Sequence, residues 1–177
     1  MISEKEAVEL LRKHADSEES FQRVLAHARA VQRIAVRIAR RVKGVDMGVI
    51  KIGSLLHDIG RFRCCPGKYS FKHGLIGAEM LRGEGLDKFA DIAERHLGAG
   101  ITKMDVKEQC MGLPERDFVP VTKEEKIITH ADNLVKGDKE IGIKEAVERY
   151  RKEIGDETAG RVRKLWKDVE RMMSQTI

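Results

Sequence analysis

Residues 54–62 read SLLHDIGRF, an apolar run that ends in His57-Asp58 and breaks at Gly60. Taking an unpaired carboxylate out of water costs several kcal/mol or more, so a buried Asp58 needs a cation, a charged partner or a proton. The same problem recurs elsewhere. Asp132 follows Ile128 by four residues and precedes Val135 by three, which turns it toward the apolar face of its helix. His27 lies one turn from Val24 and Val31 on another apolar stripe, His73 opens the segment KHGLIGAEML, and His96 closes IAERHLGAG. A lone buried histidine is ordinarily satisfied by a backbone carbonyl. Two inward aspartates and four inward histidines, with no Lys or Arg on those faces, point instead to a shared metal ion. Neutral imidazoles and carboxylate oxygens are its natural ligands. The competing reading is a structural helical protein whose inward His and Asp pair with one another.

The elements that must carry these groups read as helices. Phe21, Val24, Leu25, Ala28, Val31, Ile34, Ala35, Ile38 and Val42 keep helical spacing across 19–43. Further helices are expected at 3–14, 46–58, 73–83, 86–96, 123–136, 140–154 and 157–173, with Asp46 as an N-cap and Gly60 as a stop. Residues 97–121 hold three glycines and two prolines and no sustained period. No alternating run is long enough for a strand. The expectation is an all-α fold: a single compact helical bundle over 1–177, with its core at about 20–136 and helices at 140–173 packing on it.

A chain of 177 residues suits one domain. No apolar stretch reaches the ~18 residues of a membrane span, and MISEKEAVELLRKH lacks the features of a secretory signal. Three cysteines, with Cys64 and Cys65 adjacent, make no disulfide framework, so the expected compartment is the reducing cytoplasm. The net charge of +5 favours anionic ligands. Because its 36 % charged residues interleave both signs and only eight residues are aromatic, a solvated helical surface is favoured over a nucleic-acid platform. The stripe of Val162, Leu165, Trp166, Val169 and Met173 reads as core first and as a homo-oligomer face second.

The ordered series H…HD…H…H…D, with its central pair spelled HDIG, resembles the HD-domain metal-dependent phosphohydrolases over about residues 20–136. The contexts LLHDIGR, HGLIGAEML, AERHLGAG and EEKIITHADNLV look closest to small archaeal-type single HD-domain proteins and to bacterial diadenosine tetraphosphate hydrolases. The resemblance implies that His27, His57, Asp58 and Asp132 hold one divalent ion. His73 and His96 match the positions that bind a second, bridged by Asp58. Two cations about 3.5–4 Å apart can activate a water and clamp a phosphorus centre, which makes metal-bound hydroxide the expected nucleophile. His and carboxylate ligands suit Fe, Mn, Co, Ni or Zn alike.

The expected activity is hydrolysis of a phosphate ester or anhydride of a small phosphorylated substrate, a nucleotide first, with Asp58 and Arg61 as the catalytic pair. Arg61 stands where many two-metal relatives have lysine; it stays protonated and can bind phosphate oxygens bidentately. Arg63, Lys68 and Lys72 share its loop as weaker phosphate candidates, for which ordinary solvation is the favoured reading. The 97–121 segment, longer than its counterpart in the tetraphosphate hydrolases, is expected to cover the site. His14 is expected to be exposed, and His130 to be a surface histidine or one supporting a ligand. The alternative function is a non-catalytic metal- and nucleotide-binding regulatory module.

Overall fold

The computed structural model describes residues 2–64, 67 and 70–175. Among the described residues nine helices run α1 Glu4–His14, α2 Glu18–Ala39, α3 Met47–Leu56, α4 His73–Gly83, α5 Asp87–Arg95, α6 Lys103–Glu108, α7 Lys123–Asn133, α8 Ile143–Glu153 and α9 Asp156–Ser174, with short 3-10 turns at Ile59–Phe62 and Ser70–Lys72. Among the described residues the sheet content is one antiparallel hairpin of two-residue strands, β1 Val135–Lys136 and β2 Lys139–Glu140. The fold is all-α. No helix among these residues is long and apolar enough to cross a membrane.

Helix starts are written into the side chains that precede them. Ser3 and Ser17 form capping boxes with Glu6 and Ser20, and Thr102 does so with Asp105. The Asp46 carboxylate accepts from the amides of Gly48 and Val49 at 2.9 and 3.1 Å, as expected for an N-cap. α3 is the central element. Val49, Ile50, Ile52, Leu55 and Leu56 are all buried along its ten residues, so its apolar surface faces neighbours on several sides. Each such side chain contributes about 1.5–3 kcal/mol by leaving water. α2 packs on it and brings Phe21, Val24, Ala28, Val31, Ile34 and Ala35 into the same core, to which α9, packed on α7, adds Leu165, Val169 and Met173.

Several boundaries differ from the periodicity. α3 ends at Leu56 rather than 58, which frees His57 and Asp58 from helical spacing. Gly60 is therefore not the helix stop. It lets the 3-10 turn press against α4: a Cβ there would lie 2.0 Å from the His73 carbonyl oxygen and 2.5 Å from the Gly77 amide. The segment 97–121 contains the six-residue α6 and a bridge between Ile101 and Phe118. Its Asp105 takes an ion pair from Arg161, and its Arg116 one from buried Glu94.

Candidate metal centre

Helix ends converge at one point. His57 is the C-cap of α3 and Asp58 follows it; His73 opens α4, His96 is the C-cap of α5, and Asp132 lies in the last turn of α7. His27, from within α2, reaches the same place. Each imidazole is held the same way: its Nδ1 faces a carbonyl oxygen, which can only accept, so Nδ1 donates. His27 donates to Gly137 (2.7 Å), His57 to Ser54 (2.8 Å) and His96 to Ala93 (2.7 Å), while His73 donates to Ser70. The four Nε2 atoms are thereby aimed inward, as metal-binding histidines are when the other nitrogen is tied back.

What those nitrogens meet is carboxylate. Asp58 divides its two oxygens between two histidine sets. Oδ1 lies 3.0 Å from His73 Nε2 and 3.4 Å from His96 Nε2. Oδ2 lies 3.5 Å from His27 Nε2 and 3.8 Å from His57 Nε2, and also takes the Nε–H of Arg61. Asp132 Oδ1 sits 2.9 Å from His27 Nε2 and 3.6 Å from His57 Nε2. His57, Asp58, His73 and His96 are buried. Despite these short separations, His57 Nε2 and Asp58 Oδ1 have no hydrogen bond of acceptable geometry. Buried polar atoms without a hydrogen bond, surrounded by inward-aimed nitrogens and oxygens, are what a set of ligands for a cation presents. Among the described residues, His27, His57 and Asp132 form one group with ligand atoms within 4.8 Å of one another, and His57, Asp58 and His96 form another. The donor set therefore fits divalent metal.

The protonation of these groups follows from the same geometry. Burial alone would raise the Asp58 carboxyl, but the charges of His57, Arg61 and His73 outweigh it and hold Asp58 well below the usual carboxylate range. Burial likewise opposes ionisation of Asp132, and the hydrogen bond from His27, with the charges of His57 and His27, overcomes it. For His27, burial works against protonation, yet the hydrogen bond and charge of Asp132, with Asp58 behind, push it up to about 9. Burial pushes His96 down from its ordinary value. Both carboxylates are thus ionised at neutral pH.

A cleft of about 950 Å³ opens over His27, Asp58, Arg61 and His73, a volume within the usual range for ligand sites. Of the phosphate candidates, Arg61 lines it. Arg63 turns away to His14, 3.3 Å distant, and neither it nor Lys72 lines the cleft. Lys68 and Cys65 lie outside the described residues, while Cys64 lines the cleft wall. No residue of 97–121 lines it, so that segment is not the cover expected of it; the walls come from the α1–α2 junction and the Gly137-Asp138 turn. The exposure expected of His14, and the surface alternative for His130, both fail. His14 is not exposed but packs at Glu84 with its side chain 9 % accessible, and His130 is buried, 3 % accessible. Arg23, also on the cleft wall, was missed. It precedes His27 by four residues, so helical spacing alone places both on one face.

A family model for the HD domain matches residues 24–137. The chain is an HD-domain protein. It thus belongs to the superfamily of HD-domain metal-dependent phosphohydrolases. This HD domain is 44 % identical over 139 residues to an uncharacterized protein of Methanocaldococcus jannaschii, MJ0778, covering 76 % of the chain and 79 % of the relative. It is also 37 % identical over 153 residues to a tRNA (cytidine(56)-2'-O)-methyltransferase of Thermoplasma volcanium, a match over 86 % of this chain and 43 % of the enzyme. The corresponding enzyme of Picrophilus torridus gives 36 % over 154 residues, with the same coverages. The chain thus spans less than half the length of these methyltransferases. Among solved structures, the HD domain of the L. monocytogenes phosphodiesterase PgpH, in complex with cyclic-di-AMP, shares the fold. The TM-score is 0.54 at 17 % identity, covering 96 % of this chain and 94 % of that one.

Proposed function

We propose that this HD domain hydrolyses a phosphate ester or anhydride, with a nucleotide as the substrate class, using two divalent ions. The observation that carries the reading is the division of Asp58: one oxygen faces His73 and His96, the other faces His27 and His57. His27, His57, Asp132 and Asp58 Oδ2 would hold one ion, and His73, His96 and Asp58 Oδ1 the second. Bound divalent metal supplies an acidified water and neutralises phosphoryl oxygens. The chain's own groups do the rest. The four carbonyl-tied imidazoles keep the ligand atoms from rotating away. Arg61, half-exposed at the cleft wall and permanently charged, grips a non-bridging phosphate oxygen. Phe62 offers an apolar surface beside it, and Arg23 adds positive charge on the opposite wall. A cleft of this size accommodates a nucleoside as well as its phosphate.

The test is hydrolysis by protein reconstituted with Mn, Fe, Co, Ni or Zn. Mononucleotides, dinucleoside polyphosphates, cyclic dinucleotides, short RNA and generic phosphate esters form the panel. Turnover that requires metal and is lost in Asp58→Ala supports the reading; no product with any metal refutes it. A second reading has one observation behind it: segments like this one occur within two archaeal tRNA methyltransferases. On that reading the domain binds RNA or nucleotide in its cleft without turnover, and metal-loaded protein would bind panel members tightly while releasing no product.

A further inference from the structure

A second cavity, of about 330 Å³, lies across α2 and α7 from the metal cluster. Its walls are apolar, from Ile34 and Ile38 of α2, Leu134 after α7, Ile141 and Ile143 beyond the hairpin, and Met173 of α9, with the Trp166 side chain on one side. His130 also lines it. That imidazole is 3 % accessible, and its Nδ1 is buried with no hydrogen-bond partner. A buried ring nitrogen left unpaired is costly, and a ligand that hydrogen-bonds it would recover that cost.

The rim is charged in a specific way. Arg37 of α2 and Arg41, just beyond its C-terminal end, line it together with Glu140 and Glu170. Arg37 is already paired to Glu140. The Arg41 guanidinium and the Glu170 carboxylate have no ion-pair or hydrogen-bond partner among the described residues. Beside an apolar cavity with an indole on one side, this leaves the Arg41 guanidinium for anionic oxygens and a spare carboxylate that can accept from an amino group. Arginine for phosphate, an indole for a base face, and His and Glu edges for ring nitrogens and exocyclic amines are complementary to one ligand chemistry.

We propose that this cavity is a second ligand site, which takes a phosphorylated heteroaromatic ring: a nucleotide, either free or as an unstacked residue of an RNA strand. The site stands on its own residues and does not depend on the metal centre being catalytic. The two sites nevertheless share their walls. α2 carries His27 toward the cluster and Ile34, Arg37 and Ile38 toward the cavity; α7 carries Asp132 one way and His130 the other. The hairpin turn touches the cleft, and Glu140 touches the cavity. An occupant is therefore placed to bear on the elements that hold two metal ligands.

Trp166 is the only tryptophan in the chain, so its emission reports this cavity. Chelator-treated full-length protein would be titrated with AMP, GMP, ribose 5-phosphate and a single-stranded RNA of about ten nucleotides, following Trp166 fluorescence. Saturable quenching by the base-bearing probes, and none by ribose 5-phosphate, is expected. Quenching by AMP or GMP identifies the free nucleotide as sufficient, and quenching by RNA alone identifies the strand. Arg41→Glu, on an exposed and unpaired position that folding does not need, should weaken binding about ten-fold or more, whereas Asp58→Ala should leave it unchanged. Absence of quenching by every base-bearing probe at millimolar concentration overturns the proposal. So does equal quenching by ribose 5-phosphate, or unaltered affinity in Arg41→Glu.

Discussion

Asp58 is the residue on which the proposed metal centre turns, because each of its oxygens faces a different pair of imidazoles. Asp58→Ala should therefore release both ions and abolish turnover. His96→Ala should lower metal content by about half and leave the His27, His57 and Asp132 position filled. Plasma mass spectrometry of both variants separates these outcomes; equal loss in the two would contradict the division. Arg61→Ala should raise KM about ten-fold or more with a smaller change in kcat, the mark of a group that binds phosphate in ground and transition states alike.

The histidines also set a pH dependence. In chelator-treated protein His27 titrates near 9 in the fold, against about 6.5 unfolded. It therefore contributes stability that is complete below pH 6.5 and lost as pH rises through 9. His130 has the opposite sign: burial pushes it down to about 4, so the unfolded chain takes up its proton first and stability falls as pH drops from 6.5 toward 4. Each contribution amounts to roughly 3 kcal/mol at the end of its window. Urea unfolding of chelated protein should thus show greatest stability near pH 6.5. His130→Gln should flatten only the acid side.

At the scale of elements, the site is an arrangement of helix termini, and the contacts that fix those termini are partly visible in sequence and partly not. The spacing of Phe21, Val24, Ala28, Val31 and Ile34 defines α2, and Asp46 marks where α3 begins. The burial of His130 is not visible from α7 alone. It sits two residues from Asp132 and does point elsewhere, but α9 covers that side as well, and only tertiary packing decides this. The hairpin at 135–140 escapes notice because two residues per strand carry no alternation. Its turn matters all the same, since the Gly137 carbonyl orients His27. α6 has only six residues, too few to show a period. Gly60 reads as a helix stop on composition, whereas its function is close approach to α4. In Gly60→Ala the new methyl meets backbone at 2.0 Å, so the 3-10 turn must move away from His73. A cost of about 3 kcal/mol in urea unfolding, together with reduced metal content, is expected; a variant with wild-type stability and metal content would refute that role.

The molecule as a whole places two ligand-sized spaces on opposite sides of the α2 and α7 pair. The first was legible, because metal chemistry restricts residue types and the ordered series H…HD…H…H…D leaves few alternatives. The second was not, since it is built from ordinary core side chains and becomes distinctive only when Trp166, His130, Arg37 and Arg41 meet. Cover over the cleft was likewise assigned to 97–121 on length alone. That segment instead packs on α5 and α9 through Arg116–Glu94 and Asp105–Arg161, ion pairs between residues far apart in sequence.

The most direct test of the central claim is anomalous diffraction from crystals of protein purified without chelator, collected at the absorption edges of Mn, Fe, Co, Ni and Zn. Two peaks about 3.5–4 Å apart, with Asp58 between them, His73 and His96 on one and His27, His57 and Asp132 on the other, are the predicted result. Absence of any peak within ligand distance of these six side chains, in protein that binds the metals in solution, would contradict it.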